Sequence, residues 1–233
     1  MNAGRSFADP DGGPLIERDR HGTDMVAIEA VAISTLESLP ARIWDGSPPV
    51  PIKRIAEEHF GLIVLETDDP AEIPGAAPVA DGNHFSGMLV ADRGEIWVNR
   101  SDALEWPPRK RFTIAHELGH WLLHRDSHAP EAYQAVDSGQ VALQPQDESE
   151  DRPDDQAARK ILPLIEAEAH AFAAAFLMPA ALLRTAHLQS SGNLTELQQV
   201  FDSSKAALER RLLTLGLDWI EPDQLSEPSL SQQ

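Results

Sequence analysis

The sequence predicts an α+β fold: one mostly helical domain carrying a small, mainly antiparallel sheet. Three observations lead there. Apolar residues recur at helical spacing before residue 60 and again after residue 107. Between them, two short apolar runs flank Asp92-Arg93-Gly94 in the manner of a β-hairpin. The resulting order, helices, then a small sheet, then helices, fits one layered domain, and 233 residues suffice for a single core.

The elements follow in turn. Residues 1–23 are polar and read as a flexible tail, with the domain spanning 24–222. MVAIEAVAISTLESL after Asp24 has helical spacing and stops before Pro40, which lacks a backbone donor. Pro51 opens a short helix, IKRIAEEHF, ended by Gly61. LIVLE, 62–66, is a strand, and 67–84 is a loop rich in Asp, Pro, Ala and Gly. The hairpin covers 85–100, and after Pro107 and Pro108 a long helix runs to about His124. Residues 125–160 contain QPQDESEDRPDDQ and are expected to form an acidic, mobile insertion. From Ile161 the chain is helical again, broken at Pro179, and ends in the helical runs LTELQQVF and SSKAALERRLLTLG. Residues 223–233 read as a second flexible tail.

Composition narrows the function. Nineteen Lys and Arg against 38 Asp and Glu leave a formal charge of −19, which repels phosphate backbones and disfavours direct nucleic-acid binding. The absence of cysteine excludes disulfides and thiolate metal ligands. The polar N-terminal stretch does not resemble a signal peptide, and the longest apolar run, AFAAAFLMPAALL, is interrupted by Pro179. No membrane partner and a cytoplasmic location are therefore expected.

The chemistry concentrates in HELGHWLLH, residues 116–124. On a helical wheel starting at Phe112, His116, His120, His124 and Glu117 fall within an arc from about 40° to 140°, opposite the apolar face. His116 and His120, one turn apart, can bind one ion, and Glu117 sits beside them within reach of a water on that ion. This is the HExxH arrangement of zinc peptidases, in which the metal acidifies water and the glutamate takes its proton. Glu117 is thus the catalytic candidate and one Zn2+ per chain the expected cofactor.

A catalytic zinc needs a third protein ligand. On the helix from Ile161, Glu168 falls inside the apolar arc, where a lone carboxylate is costly unless paired or metal-bound. Glu168 is therefore the expected ligand. Glu166 and His170, just outside that arc, are the alternatives, and a plain ion pair of Glu168 with Arg111, Arg184 or Arg211 is the non-metal reading. His124, His170 and Tyr133 are candidates for hydrogen bonding around the site or for stabilising an oxyanion.

RFTIAHELGHWLLH and EAEAHAFAAAFLMP, with PVPIKRIAEEHFGLIVLE and GEIWVNR upstream and VFDSSKAALERRLLTLGL downstream, resemble the ImmA/IrrE family of metallopeptidases. The resemblance implies a zincin-like fold and a gluzincin-like site with His116, His120 and Glu168 on zinc and Glu117 as base. It also implies a bacterial cytoplasmic enzyme acting on helix-turn-helix repressors of stress-response or mobile-element genes. In related zinc peptidases an edge strand holds the substrate, which nominates Glu95, Ile96, Trp97, Val98 and Asn99. Three features depart from the family pattern: His170 where asparagine is usual, a longer acidic 125–160 segment, and no helix-turn-helix before the domain. The competing reading is a metal-containing module that sequesters its partner without cutting it.

Overall fold

A computed structural model describes residues 24–76, 85–125, 132–136 and 153–221. The two expected tails and the acidic stretch 137–152 lie outside the described residues. Among those described, no single helix is long and apolar enough to cross a membrane.

Helix α1 (Met25–Glu37) is capped by Asp24, whose carboxylate accepts from the Ala27 amide at 3.0 Å, and it buries Ile28, Ala32 and Leu36 along one face. The helix predicted after Pro51 begins as α2 (Ile52–Arg54) and widens into a π-helical turn, Ile55–His59. Gly61, at φ 69°, then turns the chain into β1 (Ile63–Thr67), a conformation that L side chains resist. The hairpin comprises β2 (Phe85–Val90) and β3 (Glu95–Asn99), with Gly94 at φ 63° closing the turn.

The sheet order is β1-β3-β2-β4, with β4 spanning Ala132–Val136. The β2 pairings with β3 and β4 are antiparallel, while β1 runs parallel to β3 and places Leu65 opposite Trp97. Two expectations are corrected here. The segment 125–160 is not one loop, because β4 lies within it and α5 (Pro153–Leu177) starts before its end. A proline at the first helical position followed by Asp154 and Asp155 is a good helix start, since acidic residues favour the positive end of the helix dipole; the acidity of this stretch hid that signal. The strand Glu95–Asn99 is not an edge either. It pairs with β1 on one side and β2 on the other, so its backbone is already occupied and cannot add an extended peptide. Where β1 docks is a long-range choice that the hairpin's own residues do not encode.

Asn99 ends β3 by capping α3 (Arg100–Glu105), accepting from the Asp102 amide at 2.9 Å. Pro107 then starts α4 (Pro107–Leu123). Past Pro179 come α6 (Ala180–Gln189), α7 (Leu194–Phe201) and α8 (Lys205–Thr214). The main core joins Leu89, Ile96 and Val98 of the sheet to Ile114 and Leu118 of α4 and to Phe172 and Phe176 of α5. Helix α4 is thus clamped between sheet and α5, with every residue from Thr113 to His120 buried. Arg211 ties the bundle together, pairing with Glu29 of α1 at 2.6 Å and donating to the Met178 carbonyl at 3.0 Å.

Candidate metal centre

His116, Glu117 and His120 owe their shared position to α4, and α4 is held tightly by two glycines. A methyl group on Gly119 would come within 3.1 Å of Phe172 Cδ1 and 3.2 Å of Ala169 Cα, so α4 and α5 touch almost backbone to backbone. On the other side, a Cβ on Gly87 of β2 would lie 2.3 Å from Thr113 Cγ2 and 3.4 Å from Glu117 Oε1. The glutamate is therefore pressed between α4 and β2.

The close approach at Gly119 decides which carboxylate meets the histidines. Measured from Ala169, Glu166 lies about 60° around α5 and Glu168 about 100° in the opposite direction. Glu166 points to the histidine face. Its Oε2 is 3.1 Å from His116 Nε2, its Oε1 is 3.4 Å from His120 Nε2, and the two Nε2 atoms are 3.1 Å apart. Glu168 instead meets His124, with Oε2 2.9 Å from Nε2. The expectation that Glu168 joins His116 and His120 is thus corrected to Glu166. The wheel centred the apolar arc too far toward Leu164, whereas the buried line runs through Ile165, Ala169, Phe172 and Ala173. A pairing of Gly119 with Ala169 as the small residues at a close helix crossing was the signal in the sequence that could have found Glu166.

The arginines weighed as partners for Glu168 are engaged elsewhere. Arg111 reaches Asp202 and the Val50 carbonyl, Arg184 the Leu215 carbonyl, and Arg211 Glu29. His170 hydrogen-bonds through Nδ1 to the Glu166 carbonyl at 3.0 Å, and its ring stands edge-on to His116 with centroids 4.4 Å apart. Donor atoms of His116, Glu166 and His170 all lie within 4.8 Å of one another. His124 is buried, its Nδ1 3.2 Å from His120 Nδ1. Tyr133 stands on β4 opposite Leu89, and its side chain lies outside what is described.

The donor set fits a metal. Ligand atoms held about 2.0–2.1 Å from a tetrahedral ion stand roughly 3.3 Å apart; His116 Nε2 lies 3.1 Å from both His120 Nε2 and Glu166 Oε2, and the second carboxylate oxygen, Oε1, lies 3.4 Å from His120 Nε2. Burial pushes the pKa of both imidazoles down, which favours the neutral form that ligates. Burial alone would raise Glu166, but hydrogen bonds from His116 and His120 hold it well below the usual carboxylate range. Two histidines and a carboxylate leave a fourth position open, as catalytic rather than structural zinc sites do. The Glu117 side chain is fully buried, and among the described residues neither oxygen has a hydrogen-bond partner of ordinary geometry. Burial first, then the Glu166 charge, push its pKa well up, opposed by the backbone amide of Leu89. A buried acid without partners is expensive unless chemistry uses it.

Gly119 gives a direct check on this geometry. Gly119→Ala gains helix propensity but forces α5 away, so a net cost of about 1–3 kcal/mol is expected from overpacking. Because the same shift moves Glu166 from the histidines, metal affinity should fall with it. Denaturant unfolding and zinc titration of the variant measure both, and unchanged affinity would rule out this account of how Glu166 is placed.

A helix-borne HExxH beside a carboxylate from a neighbouring helix is the residue arrangement that zinc peptidases use. The chain belongs to the IrrE N-terminal-like domain family, peptidase family M78, whose model matches residues 77–213. No curated protein matches it in sequence. A solved structure of a Mycobacterium tuberculosis transcriptional regulator is similar at 17% identity with a TM-score of 0.46, over 88% of this chain and 48% of that one. This chain therefore spans about half the length of that protein.

Proposed function

We propose that this protein is a zinc-dependent endopeptidase that cleaves a helix-turn-helix repressor and so regulates transcription. The observation that carries the enzymatic part is Glu117, a buried carboxylate with no hydrogen bond of ordinary geometry among the described residues, beside the donor cluster of His116, His120 and Glu166. A module that only bound its partner would have no use for this costly group.

His116, His120 and Glu166 would hold the zinc, which when bound would supply Lewis acidity toward a peptide carbonyl and toward water. Glu117 takes a proton from the attacking water as the carbon–oxygen bond forms, then delivers it to the amine nitrogen as the carbon–nitrogen bond breaks. Burial raises its pKa, which makes it a stronger proton acceptor than a solvated carboxylate. His170 and His124 act as hydrogen-bonding groups beside the ligands. The substrate class rests on the family resemblance rather than on any groove in the fold, and a basic DNA-binding domain would suit the acidic charge of −19.

The test is incubation of the purified chain with candidate helix-turn-helix repressors, with products read by mass spectrometry. A single defined cut is expected, abolished by a chelator and restored by added zinc. Relief of repression in the presence of chelator, with the repressor intact, would favour sequestration instead.

A further inference from the structure

Strand β2 touches the proposed base. A Cβ on Gly87 would stand 3.4 Å from Glu117 Oε1 and 2.3 Å from Thr113 Cγ2, so β2 passes directly over the turn of α4 that bears Glu117. Neighbouring strands lie about 4.8 Å apart. A peptide paired with the side of β2 away from β3 would run one such spacing from Gly87. One added outside β4 would be about 10 Å away, and one outside β1 about 14 Å. Glu117 acts on a carbonyl carbon through one water, across roughly 6 Å in all. Of the places where the sheet can hold an extended peptide, only the β2 edge brings it within that reach. Its sequence, FSGMLV, has neither charge nor proline to deter an added strand.

The chain's own β4 holds that place. It runs antiparallel along β2, from Val90 opposite Ala132 to Phe85 opposite Val136, and Ala135 stands opposite Gly87. The register breaks at this point, since Ser86 has no residue across from it. Such a bulge takes the Ala135–Val136 peptide link out of the regular ladder beside Glu117. A five-residue uncharged strand, AYQAV, thus lies along β2 as a docked peptide would.

We propose that the β2 edge is the substrate-docking edge, and that β4 is a resident pseudosubstrate strand which an incoming peptide must displace. That the peptide is then cut rests on the endopeptidase reading above, whereas docking and displacement do not.

Two full-length variants test this. One replaces residues 132–136 by five glycines, which weakens the strand. The other is Ala135→Pro, which removes a backbone donor and restricts the strand. Metal-free proteins are titrated with a fluorescent peptide of the β4 sequence, PEAYQAVDS. If β4 fills the edge about 90–99% of the time, the peptide should bind the variants about 10–100-fold more tightly than wild type. Hydrogen exchange should find the β2 amides that bond to β4 protected in wild type, open in the variants, and protected again once peptide is added. Equal peptide affinity in wild type and a folded variant would overturn the proposal. Freely exchanging β2 amides in the wild type would do so too, and that arm needs neither variant to fold. Hydrolysis of a repressor is followed separately with zinc added, where the variants should cut faster. Equal cutting rates would leave the enzyme reading standing and remove the pseudosubstrate. Tighter peptide binding with no cutting would keep the docking edge and remove the peptidase.

Discussion

Glu117→Gln is expected to cut peptide hydrolysis by about 10²–10⁴-fold or more, the usual span for loss of a general base, while zinc stays bound. Glutamine keeps the shape of the side chain but cannot take the proton from water. The same change should stabilise the metal-free protein. Glu117 is buried, its oxygens lack hydrogen bonds of ordinary geometry among the described residues, and its pKa is raised by burial and then by the Glu166 charge, so its ionised form weakens the fold. A group whose folded pKa is raised contributes its stability below the unfolded value, and loses it as pH rises through the folded value. Wild type and variant should therefore match below about pH 4.3, with the variant gaining on the order of 1–3 kcal/mol toward neutral pH. Calorimetry of both metal-free proteins from pH 4 to 8 checks the sign. A variant that still cuts its substrate at the wild-type rate would remove Glu117 from the chemistry.

Glu166→Ala should nearly abolish zinc binding, with a loss larger than the roughly 100-fold ceiling for groups behind a ligand. Activity should fall with it. The contrast is with Glu168→Ala, only two residues away, where the loss is smaller and the metal remains. Inductively coupled plasma analysis of the two purified variants, followed by affinity titration, separates them. If Glu168→Ala emptied the protein of zinc while Glu166→Ala kept it, the ligand assignment would have to be reversed. The gain in having both variants is that either ordering is informative.

Much of the fold could be read along the chain because its signals are local. Gly61 and Gly94 sit where positive φ is needed, Pro107 starts α4, and Pro179 separates α5 from α6. The start of α5 was missed because Pro153, Asp154 and Asp155 serve equally as a solvated acidic run and as a helix N-terminus. In the site, the histidines and Glu117 share one helix, so their mutual geometry follows from a 3.6-residue period. The third carboxylate lies on another helix. Periodicity narrowed it to neighbours on α5, but it cannot say which flank turns inward.

From the sequence alone came the α+β class, the HExxH helix with its polar and apolar faces, and the need for a further ligand from the helix beyond Ile161. Each is legible from patterns within single elements or from the coordination chemistry of zinc. The tertiary structure alone decided that β3 is central rather than an edge, and that Glu166 rather than Glu168 faces the histidines. Both depend on where separate elements dock. At Gly119 and Ala169 the missing side-chain volume lets two backbones approach, and that one crossing sets the rotation of α5 on which the whole site depends.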